Sequence, residues 1–324
     1  MMFADLFKNV DINKMIEETR KKAKDADMKI TEVREIKSKV DEHPNPDLQK
    51  ILDKIHKVRS YIPKVGVFGN SGVGKSSLCN ALFGKNVAKI SDVEACTRKP
   101  QSIFLGGVDG GIELIDLPGI GEDPARQAEY VGLYESLTPE LDLVLWAIKA
   151  DDRNYASGIE AYQKIFSNCV GLPVVFVITQ ADKTNPVRGW SCEEFLPGEK
   201  QLSNILIKEH DVSKRFGVST KNIISVAVGE ENPSEKYNIV ELVDLIVEVL
   251  PNEKKYSFAR EAKSDNVSEE SRERAERGIW DYVKDFAGDA WDSVKDVVVD
   301  TIVESAGKLA KAAATKLVKL LKFW

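Results

Sequence analysis

Gly69-Asn70-Ser71-Gly72-Val73-Gly74-Lys75-Ser76 brings three glycines, a lysine and two hydroxyls into one short run. Glycines let a backbone curl until successive N–H groups point at the same anion, and a helix starting at the end of such a curl adds the positive end of its dipole. Lys75 would neutralise the β- and γ-phosphates of a nucleotide, and the Ser76 hydroxyl would ligate Mg²⁺. The run follows an apolar stretch, Lys64 to Phe68, and leads into an amphipathic one, Ser77 to Phe83. It therefore sits where a strand passes through a loop into a helix, the context in which GxxxxGK[ST] binds phosphate, with Ser77 as the next residue of the cradle.

Further along the chain, Asp116-Leu117-Pro118-Gly119 closes another apolar run. Asp116 could hold Mg²⁺ through water, and the Gly119 amide could meet a γ-phosphate. Between these two motifs, Thr97 in Ala95-Cys96-Thr97-Arg98 could add its hydroxyl to the metal. Contacts from Thr97 and Gly119 can exist only while the γ-phosphate is present, so residues 85 to 98 and 119 to 128 are candidate switch loops. Thr179-Gln180-Ala181-Asp182 ends a later apolar run. A carboxylate at Asp182 accepts from both the N1–H and the N2 amino group of guanine, donors that adenine does not offer in that geometry. Ser225-Val226-Ala227 would bring a backbone amide near guanine O6. The order of these motifs points to GTP and GDP as ligands, with Mg²⁺ as cofactor.

The elements that must hold such a site follow from the apolar runs at 64–69, 102–106, 111–116, 142–148, 173–179 and 222–228, most of them separated by amphipathic stretches. Short continuous apolar runs joined by helices predict an α/β fold, a doubly wound and mainly parallel six-stranded sheet with helices on both faces. In that architecture ligands sit at the carboxyl ends of the strands. Four regions are expected: a helical segment over 1–61, broken at His43-Pro44-Asn45-Pro46; a nucleotide-binding domain over 62–251; a charged linker over 252–278; and an amphipathic helical segment over 279–324.

Composition agrees with a soluble globular chain of 324 residues, 43% of them apolar and 30% charged, with a net charge of −6. Four scattered cysteines without a CxxC pair and three distant histidines predict a reduced, cytoplasmic protein without structural zinc. No secretory signal is expected at the start, and no apolar run approaches the roughly 20 residues that span a bilayer. Contact with a membrane would be peripheral. Asp281, Asp285, Asp289, Asp292, Asp296, Asp300 and Glu304 form one acidic helical stripe, after which Lys308, Lys311, Lys316, Lys319 and Lys322 accompany Leu317, Leu320, Phe323 and Trp324. Two arrangements suit this tail: a helical hairpin turning near Gly307, or a basic amphipathic helix, 308–324, lying on an anionic bilayer.

The wording GNSGVGKSSL, ACTR, DLPGIGE and TQAD, in that order, resembles the TRAFAC class of G domains and its Era-like branch, and is most similar to the bacterial YfjP/YeeP-type GTPases. The resemblance covers Lys64 to Leu250 and implies GTP hydrolysis with Mg²⁺, with an effector that is a protein, a ribosome or RNA, or a membrane surface. Departures qualify what carries over. Thr179 and Gln180 stand where most members have Asn and Lys, so weaker nucleotide binding is expected while Asp182 still selects guanine. Gly72 occupies the position of the Asn found in potassium-activated members. Ile120 replaces the water-orienting Gln of Ras-like enzymes, which implies slow turnover as a molecular switch. In-line attack would then draw on Arg98 or Glu122 in cis, or on a nucleotide-dependent dimer or effector in trans. A membrane-associated GTPase of dynamin-like or immunity-related type and a non-catalytic GTP-binding adaptor are the other readings.

Overall fold

The structure is a computed structural model that describes residues 46 to 288, except 71, 85–100, 108–109, 117–126, 154, 167–168, 170, 230–231 and 233. Its centre is a six-stranded sheet of β1 (Lys64–Gly69), β2 (Gln101–Gly107), β3 (Gly110–Asp116), β4 (Leu143–Lys149), β5 (Val174–Thr179) and β8 (Ile223–Ser225), in the order β2-β3-β1-β4-β5-β8. Only β2 runs antiparallel to its neighbour; the other pairings are parallel. Two short strand pairs stand apart from it, β6 (Trp190–Ser191) with β7 (Leu196–Pro197), and β9 (Ala227–Val228) with β10 (Lys236–Tyr237).

The central strands β4 and β5 are apolar almost without interruption because both faces of the sheet are covered there. Side chains alternate along a strand, so Val65, Val67, Leu143, Leu145, Val175 and Val177 enter one core while Phe68, Val144, Trp146, Ile148, Phe176 and Ile178 enter the other. The first core is closed by α2 (Lys75–Phe83), α6 (Ile239–Val249) and α7 (Asn252–Glu261), through residues such as Leu78, Leu82, Leu242, Ile246 and Phe258. The second is closed by α3 (Gln127–Leu137), α4 (Ala156–Phe166) and α5 (Glu199–Phe216), with Trp146 ringed by Phe68, Tyr162, Phe166, Phe176 and Phe216 at centroid distances of 5.4–6.3 Å.

Residues 252–278 differ from the charged linker expected of them. They form α7 and, from Glu269, the start of α8 (Glu269–Ala287), and Phe258, Ala262, Val267 and Ala275 belong to the first core. The apolar residues here are too sparse to register as a periodic pattern, and much of the attachment is polar instead. Asn266, fully buried, donates its Nδ2 to Ala81 O at 2.7 Å, and the Lys263 N–H donates to Leu82 O at 2.8 Å. Together they satisfy carbonyls left open at the end of the helix that follows the glycine-rich turn. At the amino end of β1 and β4 the buried Asp142 carboxylate accepts from the Tyr61 hydroxyl (2.9 Å) and the Lys64 N–H (2.8 Å) and pairs with Lys254 Nζ (2.6 Å). Burial and this carboxylate hold the Tyr61 phenol well above its ordinary pKa.

The chain falls into two compact units, Lys57–Tyr282 and a second made of Met1–His56 with Val283–Trp324. The first contains the whole sheet. Of the second, 46–56 and 283–288 are described, and there Lys54 Nζ stands 4.9 Å from the centroid of the Phe286 ring. Residues 46–59 form helix α1 (Pro46–Arg59), and the rest of the segment expected to be helical before it, 1–45, lies outside the described residues. Asp281 and Asp285 are exposed on α8, while the rest of the acidic stripe and the lysine-rich tail lie outside the described residues. Among the described residues no helix is long and apolar enough to cross a membrane.

Candidate functional site

Parallel pairing puts the carboxyl ends of five strands on one edge, and the register there sets the layout. Val67 pairs with Asp116, Gly69 with Ala147, Lys149 with Thr179 and Ile178 with Ser225. The glycine-rich turn leaves β1 between β3 and β4, where the strand order reverses, the position at which such sheets bind ligands.

Gly69 has φ 140°, and a Cβ there would lie 2.4 Å from Ala147 O, so only glycine lets β1 pass β4 this closely as the turn begins. Gly74, at φ 88°, precedes the first turn of α2; a Cβ on it would stand 3.6 Å from Gln180 Nε2. Lys75 Nζ folds back over the turn and donates to Asn70 O at 3.0 Å and Gly69 O at 3.2 Å. The ammonium is thus held over the concavity that the backbone encloses. Ser76 and Ser77 follow on the same helical turn.

The second wall is built from the ends of β5 and β8. Thr179, buried, donates its hydroxyl to Val73 O at 2.5 Å, which ties β5 to the glycine-rich turn. Gln180 then takes a left-handed conformation (φ 57°), turning the chain into a 3₁₀ turn over Ala181–Lys183 that carries Asp182. The Ala181 N–H donates to Val226 O at 3.0 Å and the Val226 N–H to Ile178 O at 2.8 Å, so this turn and Ser225-Val226-Ala227 are laced together. The two walls face one cavity, lined by Gly74, Ser77, Leu78, Thr179, Gln180, Asp182, Lys183, Val226, Ala227 and Val228. Residues of the glycine-rich turn and the Asp182 segment therefore share one cleft. Ser225, fully buried, is not among the lining residues.

Several supports of this cleft have no sequence motif. Glu209 on α5 accepts from the Ser225 N–H at 3.0 Å; burial pushes its carboxyl pKa up, and the Ser225 hydroxyl and N–H partly offset the shift. Asn238, left-handed at φ 55°, donates to Ser225 O at 3.0 Å. Gln201 and Asn204 hold the loop after Asp182. These residues lie far from the motifs in sequence, and no spacing rule points to them.

Ser71, Thr97, Arg98 and Gly119 lie outside the described residues, as do Ile120, Glu122 and the candidate switch loops apart from the start of α3. For Asp116 only the backbone is described, at the end of β3 beside β1.

Removing the Thr179 hydroxyl leaves the buried Val73 carbonyl unpaired. Thr179→Val is expected to lower stability by about 1–3 kcal/mol, with GDP affinity weakened severalfold because the phosphate turn loses its tie to β5. Thr179→Ser keeps the hydroxyl and should recover both. Denaturant unfolding alongside GDP titration checks the pair.

The family model described as 50S ribosome-binding GTPase matches residues 64–180. The chain is 46% identical over 141 residues to the uncharacterized protein YkfA of Escherichia coli K12, covering 44% of this chain and 49% of YkfA. It is 43% identical over 141 residues to the uncharacterized protein YfjP of the same strain, again spanning about half of the relative. Against a probable GTP-binding protein EngB of Streptococcus mutans it is 30% identical over 152 residues, 45% of this chain and 75% of that protein. The chain belongs to the Era-like P-loop GTPases. The glycine-rich turn is thus the P loop of a GTP-binding domain, and the mainly parallel sheet is the fold that this family places beneath it.

Proposed function

We propose that the chain binds GTP and GDP in this cleft and hydrolyses GTP with Mg²⁺ as a slow switch. The observation that carries the reading is the shared cavity: Gly74 and Ser77 of the phosphate turn line the same space as Asp182 and Val226. A ligand with phosphate at one end and a base able to donate to a carboxylate at the other would suit that lining.

In this reading the backbone N–H groups of 70–76 and Lys75 bind the phosphates, while Asp182 accepts from guanine N1–H and N2 and the Ser225-Val226-Ala227 segment borders O6, the Val226 N–H itself being given to Ile178 O. Gln180 borders the base where most relatives have Lys. The metal fits the donors present: the Ser76 hydroxyl on the first turn of α2 and Asp116 at the neighbouring strand end are hard oxygen ligands, suited to Mg²⁺ that takes its remaining ligands from phosphate and water. Thr97 would join them, and bound Mg²⁺ would neutralise charge on the phosphates during transfer. Gly119 and Arg98 act from the switch loops, Gly119 through its amide on the γ-phosphate. The effector that senses these loops is a protein, a ribosome or RNA, or an anionic membrane met through 308–324.

Phosphate release from GTP and from ATP by the purified chain tests the reading. GTP is expected to turn over slowly and ATP not measurably, with release abolished by EDTA and restored by Mg²⁺. Equal rates for the two nucleotides would sink the guanine assignment, and binding without any release would leave an adaptor.

A further inference from the structure

Two segments face the base, 179–184 and 225–228, and both are held from a single helix, α5. Ile205 packs in one small buried cluster with Ala181 and Ala227, one residue from each segment. Glu209 accepts from the Ser225 N–H. At the start of the helix, Gln201 and Asn204 reach the loop that carries Asp182. These positions lie on one side of the helix, which therefore faces the back of the base pocket along much of its length.

Gln201 has the most specific geometry. Its side chain is fully buried, and its Nε2 donates to Asp182 O at 3.0 Å and to Thr184 O at 2.7 Å. The 3₁₀ turn uses its own earlier carbonyls, with the Lys183 N–H on Gln180 O (2.9 Å) and the Thr184 N–H on Ala181 O (3.1 Å). The next carbonyls are the ones that α5 takes: those of Asp182 and Thr184 by Gln201, and that of Asn185 by Asn204 at 2.7 Å. One amide group bonded to two carbonyls two residues apart fixes the Asp182–Lys183 and Thr184–Asn185 peptide planes. The Asp182 Cα is fixed with them, and so is the direction in which its carboxylate leaves the turn. Gln201 Oε1, by contrast, is buried without a hydrogen-bond partner. An unpaired buried acceptor works against folding, so packing alone would favour an apolar side chain of similar length. What the amide supplies is its two donors.

We propose that Gln201, seconded by Asn204, is the positioning residue for guanine selection, setting the place of the Asp182 carboxylate from behind the pocket. The proposal rests on the reading of the cleft as a guanine-nucleotide site. Inosine lacks the 2-amino group that a correctly placed Asp182 accepts from, so the ratio of GDP to IDP affinity reports the carboxylate's position. A residue that merely stabilises the fold would change both affinities together and leave that ratio alone.

The test measures GDP and IDP dissociation constants for the full chain, for Gln201→Met and for Asn204→Ala, with unfolding midpoints taken without nucleotide. Gln201→Met keeps length and apolar volume and removes both donors. It is expected to reduce the GDP-to-IDP preference about tenfold, the equivalent of one good hydrogen bond lost to the base. Asn204→Ala removes a partly exposed bond and leaves the interior intact, so it carries the test if Gln201→Met does not fold; its ratio should fall about two- to threefold, in keeping with one weaker contact. If the wild-type chain prefers GDP and the folded variants keep that preference unchanged, the positioning role is overturned while the guanine reading stands. If the wild-type chain does not distinguish GDP from IDP, the guanine reading fails and takes the proposal with it.

Discussion

Lys75→Ala is expected to lower GTP turnover by about 10²–10³-fold, the loss typical of removing one well-placed donor from developing transition-state charge. The residue's setting explains why the effect should be so large. Lys75 Nζ bonds to Gly69 O and Asn70 O, so the ammonium is already stationed over the turn and need not be recruited from solution. A charge held in advance by backbone carbonyls reorganises little as phosphate charge redistributes towards the leaving oxygen. Binding should suffer less than turnover, because the backbone amides of the turn and the base pocket remain. Steady-state phosphate release together with GDP titration separates the two effects. Parallel losses in affinity and turnover would mean that the lysine acts mainly in ground-state binding. Unchanged turnover would remove this loop from the chemistry altogether.

The parts legible in the sequence were those dictated by backbone geometry or by burial on two sides. Gly69, Gly74, Lys75 and Ser76 are fixed by what a phosphate-binding turn requires, and the structure gives the first two the positive φ values that glycine accepts. The runs at 142–148 and 173–179 have both faces covered, so their uninterrupted apolar character marks them as central strands. The last run divides: β8 stops at Ser225, Val226 crosses to the 181 turn, and Ala227 and Val228 pair with β10 instead. Apolar content cannot reveal that division, because the residues are buried on either side of it. The helical character of 252–278 was hidden for a different reason. Ser257, Asn266 and Ser271 are buried there through hydrogen bonds, Ser257 to Val58 O and Asn266 to Ala81 O. Polar residues satisfied in this way look in sequence like solvated ones. The supports on α5 were illegible too, since a lone Gln acquires its role only when folding sets two particular carbonyls beside it.

Asp182→Asn is expected to exchange the base rather than simply lose it. With Asp182 the pocket offers two acceptor oxygens, which match the two donors of guanine at N1 and N2. An asparagine in the same place offers one acceptor and one donor, and xanthine, with a carbonyl at C2 and a hydrogen on N1, matches that pair. Hydrogen bonds to a charged partner contribute about 1.5–3 kcal/mol each, so GDP affinity should fall by about 10²-fold or more. Xanthosine diphosphate should gain enough to bind the variant more tightly than GDP does. The swap adds no bulk, and the backbone on either side is held by Gln201 and by the Ala181 N–H on Val226 O, so the turn should keep its shape. Competition binding of the two diphosphates to both proteins gives the answer directly. Reversed preference assigns base recognition to this carboxylate. A variant that folds normally and still prefers GDP by the wild-type margin places recognition elsewhere, and Asp182 is then a structural member of its turn.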